Sequence, residues 1–152
     1  MQVLQIINQP GPLPIKAEFN APLDGPALLV VTSSLWTSVT HTPLQLFVAL
    51  GGNQIATGQM WSNQVGTHRV LPTLFIGFSL TFGQHTLGLT LGGSGVTSDV
   101  NDIFNASLDL LTEDLLTEDL LTEDLLIGEH WRGKTGSAGG FSIEQPTAPM
   151  HV

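Results

Sequence analysis

Residues 43–61 read PLQLFVALGGNQIATGQMW. Two apolar runs, 43–50 and 54–61, flank Gly51-Gly52-Asn53. Glycine supplies positive φ at no steric cost, so this stretch predicts a tight β-hairpin. The same grammar extends outward in both directions. Short apolar runs at 2–8, 15–20, 26–36, 68–80, 84–91 and 102–111 are separated by turn residues, among them Gly83-Gln84 and Gly92-Gly93-Ser94-Gly95. Eight short strands over about 110 residues predict an all-β sandwich or barrel.

Alternation assigns faces, because successive side chains on a strand point to opposite sides. In 26–36, Leu29, Val31, Ser33 and Leu35 share one face, while Val30, Thr32, Ser34 and Trp36 share the other, more polar one. In 54–61, Ala56, Gly58 and Met60 oppose Thr57, Gln59 and Trp61. The run 103–110 places Phe104, Ala106, Leu108 and Leu110 inward and Asn105, Ser107 and Asp109 outward. His85 falls with Leu87, Leu89 and Leu91, which predicts a histidine at the edge of the core.

The chain has 152 residues, enough for one ordinary domain, and excludes a large multidomain enzyme. Only 11% of residues are charged against 41% hydrophobic, a balance that does not suit a disordered chain. After Leu110 the character changes. Leu-Leu-Thr-Glu-Asp occurs three times in tandem, starting at Leu110, Leu115 and Leu120, with a partial copy at Leu125-Leu126. A five-residue period keeps no apolar face on a helix, and in a strand it flips the leucine pair at each repeat. A pentapeptide-repeat solenoid fits Asp114-Leu115 and its counterparts. It calls for a small residue where the chain has Glu113, Glu118 and Glu123. Duplication of a short coding segment, or an engineered insertion, accounts for the repeat more simply, and its local form is open between helix, strand and coil. The expected organisation is a β-sandwich at 1–111, an acidic Leu-rich repeat at 112–127 and a flexible Gly/Pro-rich tail at 128–152.

The repeat also holds six of the thirteen acids. Without it, seven acids stand against Lys16, Arg69, Arg132 and Lys134, and the formal charge falls from −9 to −3. Four dispersed cations argue against nucleic-acid binding and against anionic membranes, since phosphate affinity rests on clustered Lys and Arg. No window has the length of a membrane-spanning helix, so no membrane insertion is expected. With no cysteine, disulfides, thiol nucleophiles and Cys-based zinc sites are excluded. The N-terminus lacks the basic start and long apolar run of a signal peptide. Compartment is therefore open, with an extracellular, cell-surface or virion setting favoured.

Enzyme signatures are missing: there is no Gly-x-Ser-x-Gly elbow, His-Glu-x-x-His helix or Walker loop. A small hydrolase would have to work through His68 or Asp102. No cofactor is expected apart from calcium, for which Asp99, Asn101 and Asp102 present oxygen donors in one loop; the same residues also serve as ordinary turn formers. Trp36 and Trp61, with Asn63, His68 and Arg69, form the candidate ligand surface. Flat rings stack on sugar C–H faces, and amide, imidazole and guanidinium groups give directional hydrogen bonds. The competing role for both tryptophans is in a core or a subunit interface.

Three stretches, Phe47 to Ala56, Leu80 to Leu91 with its Gly83-Gln84-His85-Thr86-Leu87, and Asp99 to Leu108, resemble bacterial and phage β-sandwich modules of Ig-like or jelly-roll type. The resemblance covers about 40–110. It implies an antiparallel sandwich and a non-catalytic adhesion, carbohydrate-binding or virion-associated part. The expectation is a non-enzymatic binding or assembly module with a glycan or protein ligand. Outward Thr, Ser, Asn and Gln with few charges also suit packing against further copies, so a homo-oligomer is expected. The alternative is a structural subunit of a filament or particle in which the repeat and tail pack on neighbouring chains.

Overall fold

A computed structural model of the protein describes residues 2–111; the repeat and the tail expected at 112–127 and 128–152 lie outside the described residues. Ten strands follow in order: β1 (Gln2–Pro10), β2 (Ile15–Ala21), β3 (Gly25–Thr37), β4 (Thr42–Leu50), β5 (Asn53–Ser62), β6 (Arg69–Val70), β7 (Leu74–Leu80), β8 (Gly83–Gly92), β9 (Val96–Thr97) and β10 (Ile103–Leu110). They form two antiparallel sheets. One runs β1-β10-β3, with β7, β6 and β9 also paired to β3; the other runs β2-β8-β4-β5. Among the described residues no helix is long and apolar enough to cross a membrane.

The pairing is nested. β4 pairs with β5, β3 with β7, β2 with β8 and β1 with β10. Residues 2–110 thus form one long hairpin, wrapped so that β10 lies beside β3 and β8 beside β4. That is the strand arrangement of a jelly roll. Its tip is the turn that the sequence predicts: Gly51 and Gly52 have φ of 57° and 85° and join Leu50 to its partner Asn53. Positive φ at both central residues gives the turn whose twist matches the flanking strands.

Wrapping places the inner faces of both sheets against one core. Leu29, Val31, Leu35, Phe104, Ala106 and Leu108 from the first sheet meet Leu44, Leu46, Val48, Leu87 and Leu89 from the second, all 1% exposed or less. Those on β3, β8 and β10 are the alternate positions that the sequence assigns inward; Leu44, Leu46 and Val48 of β4 join them. His85 stacks on Phe19 with ring centroids 5.5 Å apart and donates Nε2–H to the Thr81 carbonyl at 2.7 Å, the expected place at the core edge.

One expected strand divides. The run 68–80 becomes β6 and β7, because Pro72 has no N–H to give a ladder and Leu71 turns into the core. Leu71 N–H reaches sideways to the Ser33 carbonyl at 2.9 Å. Residues 63–68, between β5 and β6, lie outside the sheets, and His68 at their end meets Asp102 of the loop before β10.

Candidate functional site

Even-numbered residues of β3 point away from the core, so Thr32, Ser34 and Trp36 line the outer side of the first sheet and are half-buried. Alongside them β10 places Asn105 opposite Thr32, and its Nδ2 donates to Thr32 Oγ1 at 3.3 Å. The loop between β9 and β10 closes this region from one end. Asp102 is its anchor, with no solvent exposure at all. Its Oδ1 accepts from Ser34 Oγ and from His68 Nδ1, each at 2.8 Å, and its Oδ2 accepts from the Asp99 N–H at 2.9 Å. A buried carboxylate is tolerable only when its lone pairs are filled in this way.

His68 is held on its other side as well. Its Nε2 lies 3.7 Å from Asp99 Oδ2, and its ring sits 6.0 Å from that of Trp36, tilted by 47°. The hydrogen bond to Asp102 raises the imidazole pKa above 6.5; the charges of Asp102 and Asp99 act in the same direction, against a partial loss of solvation. The Trp36 Nε1–H is buried without a hydrogen-bond partner among the described residues. Beside the histidine lies an open recess of about 390 Å³, lined by Thr32, Ser34, Asn101 and Asn105 and, on its apolar side, by Val70 and Ile103.

The pair of His68 and Asp102 has the carboxylate–imidazole geometry of a general base. Among the described residues no attacking group lies on the imidazole. Ser34 Oγ, the neighbouring hydroxyl, gives its proton to Asp102 rather than to His68, and it accepts from the Ile103 N–H at 3.1 Å. Nucleophilic catalysis requires the hydroxyl on the imidazole nitrogen.

The outer face of the four-stranded sheet is different in character. Thr57, Gln59 and Trp61 project from β5, where alternation puts them. Trp61 is 58% exposed, and its Nε1–H is fixed by Asn63 Oδ1 at 2.7 Å. Its cross-strand partner is Pro43, and the adjacent row carries Gln45 and Gln59, joined by an amide hydrogen bond of 3.0 Å. Phe47 lies across β8. A side chain at Gly92 would meet the Phe47 ring at 2.6 Å, so this position accepts only glycine without displacing the ring. Further along, Gly88 and Ala49 form the low floor of a groove of about 380 Å³, with Lys16, Phe47, Gln54, Thr86 and Thr90 as its sides.

The residues that the sequence groups as one ligand surface therefore divide. Trp36 and His68 meet on the first sheet; Trp61 and Asn63 meet at the end of β5 on the second; Arg69 donates to Gln64 Oε1 at 2.7 Å on the exposed side of β6. In the loop suggested for calcium, the Asn101 N–H donates to Asp99 Oδ1 at 2.7 Å, while both Asp102 oxygens are taken by protein donors. Gln45, Phe47, Gln59, Ser34 and Asn105 join these sites without having been singled out. Alternation along β4, extended from Leu44, would have shown Gln45 and Phe47 to face outward.

No protein-family model and no curated protein matches this chain. Among solved structures, the chain is similar to dimeric latent PorU from Porphyromonas gingivalis, at 10% identity and a TM-score of 0.50, over 72% of this chain and 13% of that one. It is also similar to a family 35 carbohydrate-binding module from Clostridium thermocellum, at 14% identity and a TM-score of 0.44, over 72% of this chain and 88% of that one. A CBM36-1 domain of a multidomain xylanase, from the hindgut metagenome of Trinervitermes trinervoides, aligns at 10% identity and a TM-score of 0.43, over 73% of this chain and 98% of that one. At such identities the likeness concerns the fold alone, and the PorU match supports the two-sheet sandwich described above.

Proposed function

We propose that the protein is a non-catalytic carbohydrate-binding module that receives a glycan on the outer face of its four-stranded sheet. The observation that carries this reading is the Trp61 ring, exposed yet held in place by Asn63 and bordered by the Gln45–Gln59 amide pair. A sugar offers a ring face of C–H groups and a rim of hydroxyls. An indole fixed in advance receives the face with little loss of side-chain entropy, and side-chain amides act as both donor and acceptor for the rim. Phe47 and the groove over Gly88 and Ala49 continue the same combination of one aromatic ring with hydroxyl and amide groups, which suits more than one sugar unit. The sheet supplies rigidity, since Trp61, Gln45, Gln59 and Phe47 stand on paired strands rather than on loops.

The test is a glycan array followed by calorimetry with the best ligand. Saturable binding that falls at least tenfold in Trp61→Ala supports the reading; absence of any glycan ligand, or binding indifferent to Trp61, contradicts it. Light scattering on the same samples reads the oligomeric state.

A further inference from the structure

We infer that His68 and Asp99 form a binding site for a divalent cation of the zinc class, with Asp102 as the group that orients the histidine. The site is separate from the glycan face. One donor atom each from His68, Asp99 and Asp102 can be chosen within 4.8 Å of one another. Their roles differ. Asp102 Oδ1 takes the Nδ1–H of His68 at 2.8 Å, which fixes the tautomer and leaves the Nε2 lone pair as the available ligand. A carboxylate behind a histidine is the usual outer partner of a metal-binding imidazole, setting ring orientation and increasing basicity.

Nε2 faces Asp99 Oδ2 at 3.7 Å. Two ligands on a tetrahedral zinc ion, with bonds of about 2.0–2.1 Å, stand about 3.4 Å apart, so the pair closes by a few tenths of an ångström to share one ion. The other Asp99 oxygen is held by the Asn101 N–H, which aims the carboxylate while leaving Oδ2 free. Both side chains are about one-third exposed, at 35% and 38%, so the ion can enter from solvent. His68 also lines the open recess beside Ser34, Asn101 and Asn105, from which water can reach it. One nitrogen and one oxygen donor select zinc, cobalt or nickel over calcium, which takes six to eight oxygens.

The experiment uses the full chain in chelator-stripped buffer at constant pH, with Zn²⁺ alone as the probe. Calorimetry is expected to show a saturable site that weakens at least tenfold in both His68→Gln and Asp99→Asn. The chain has five histidines and an acidic repeat, so the comparison with His68→Gln is what assigns the site. A second readout, the ¹⁵N imidazole spectrum, is expected to show Zn²⁺ shifting Nε2 of His68 while its Nδ1 keeps its proton. Binding unchanged in His68→Gln, no saturation by about 1 mM, or shifts confined to other histidines would each overturn the proposal.

Discussion

His68 donates its Nδ1–H to Asp102 Oδ1 across 2.8 Å, joining an imidazole about one-third exposed to a carboxylate with no contact with solvent. The bond ties the segment before β6 to the loop before β10, two stretches 34 residues apart. With Ser34 Oγ and the Asp99 N–H on the same carboxylate, three parts of the chain depend on one side chain.

Asp102→Ala is therefore expected to destabilise the domain by about 3 kcal/mol, because it leaves the donors of Ser34, Asp99 and His68 without their acceptor. Urea unfolding followed by tryptophan fluorescence measures this. A change below about 1 kcal/mol would mean that water replaces the carboxylate at no cost.

The same bond sets a pH dependence in metal-free protein. The folded-state pKa of His68 lies above its ordinary 6.5, chiefly through the hydrogen bond to Asp102. The imidazolium contribution to stability is thus fully present below pH 6.5 and is lost as pH rises through the folded value. The stability difference between the wild-type protein and His68→Gln is expected to shrink from pH 6 to pH 9 in the presence of chelator. A difference that stays flat, or grows with pH, would contradict the assignment.

Gly92→Ala tests the packing under the proposed glycan face. The added methyl group would stand 2.6 Å from Phe47 and 2.9 Å from the Gln45 side chain, so the ring must lift. The expected cost is about 1–3 kcal/mol, as for other overpacked sites. Thermal unfolding measures it, and Gly92→Ala combined with Phe47→Ala should recover part of the loss.

Phe104 is the largest fully buried side chain of the core, with no exposure. Phe104→Ala is expected to cost about 3–5 kcal/mol through lost burial and the cavity left behind. Denaturant midpoints at unchanged slope would confirm that the change lies in stability rather than in the compactness of the unfolded chain.

These expectations show which parts of the molecule can be read from one sequence. The hairpin at 43–61 is legible because its strands flank a glycine turn, and the inward residues of β3 and β10 because their period is two. The division of 68–80 has a signal, Pro72, that hydrophobic pattern alone passes over. The partnership of His68 with Asp102 has no local signal, since it arises when β3 brings β6 and β10 to its sides. For the same reason Trp36 and Trp61 look like one surface in the sequence: nothing near either residue tells which of two stacked sheets its strand will join.

The central claim is tested most directly by titrating ¹⁵N-labelled protein with the glycan selected from the array and following tryptophan indole and glutamine amide resonances. The expected result is saturable shifts at Trp61 Nε1–H and at the side-chain amides of Gln45 and Gln59, with Trp36 unmoved. Shifts centred on Trp36, or none at Trp61 while the glycan binds, would contradict a binding face on the four-stranded sheet.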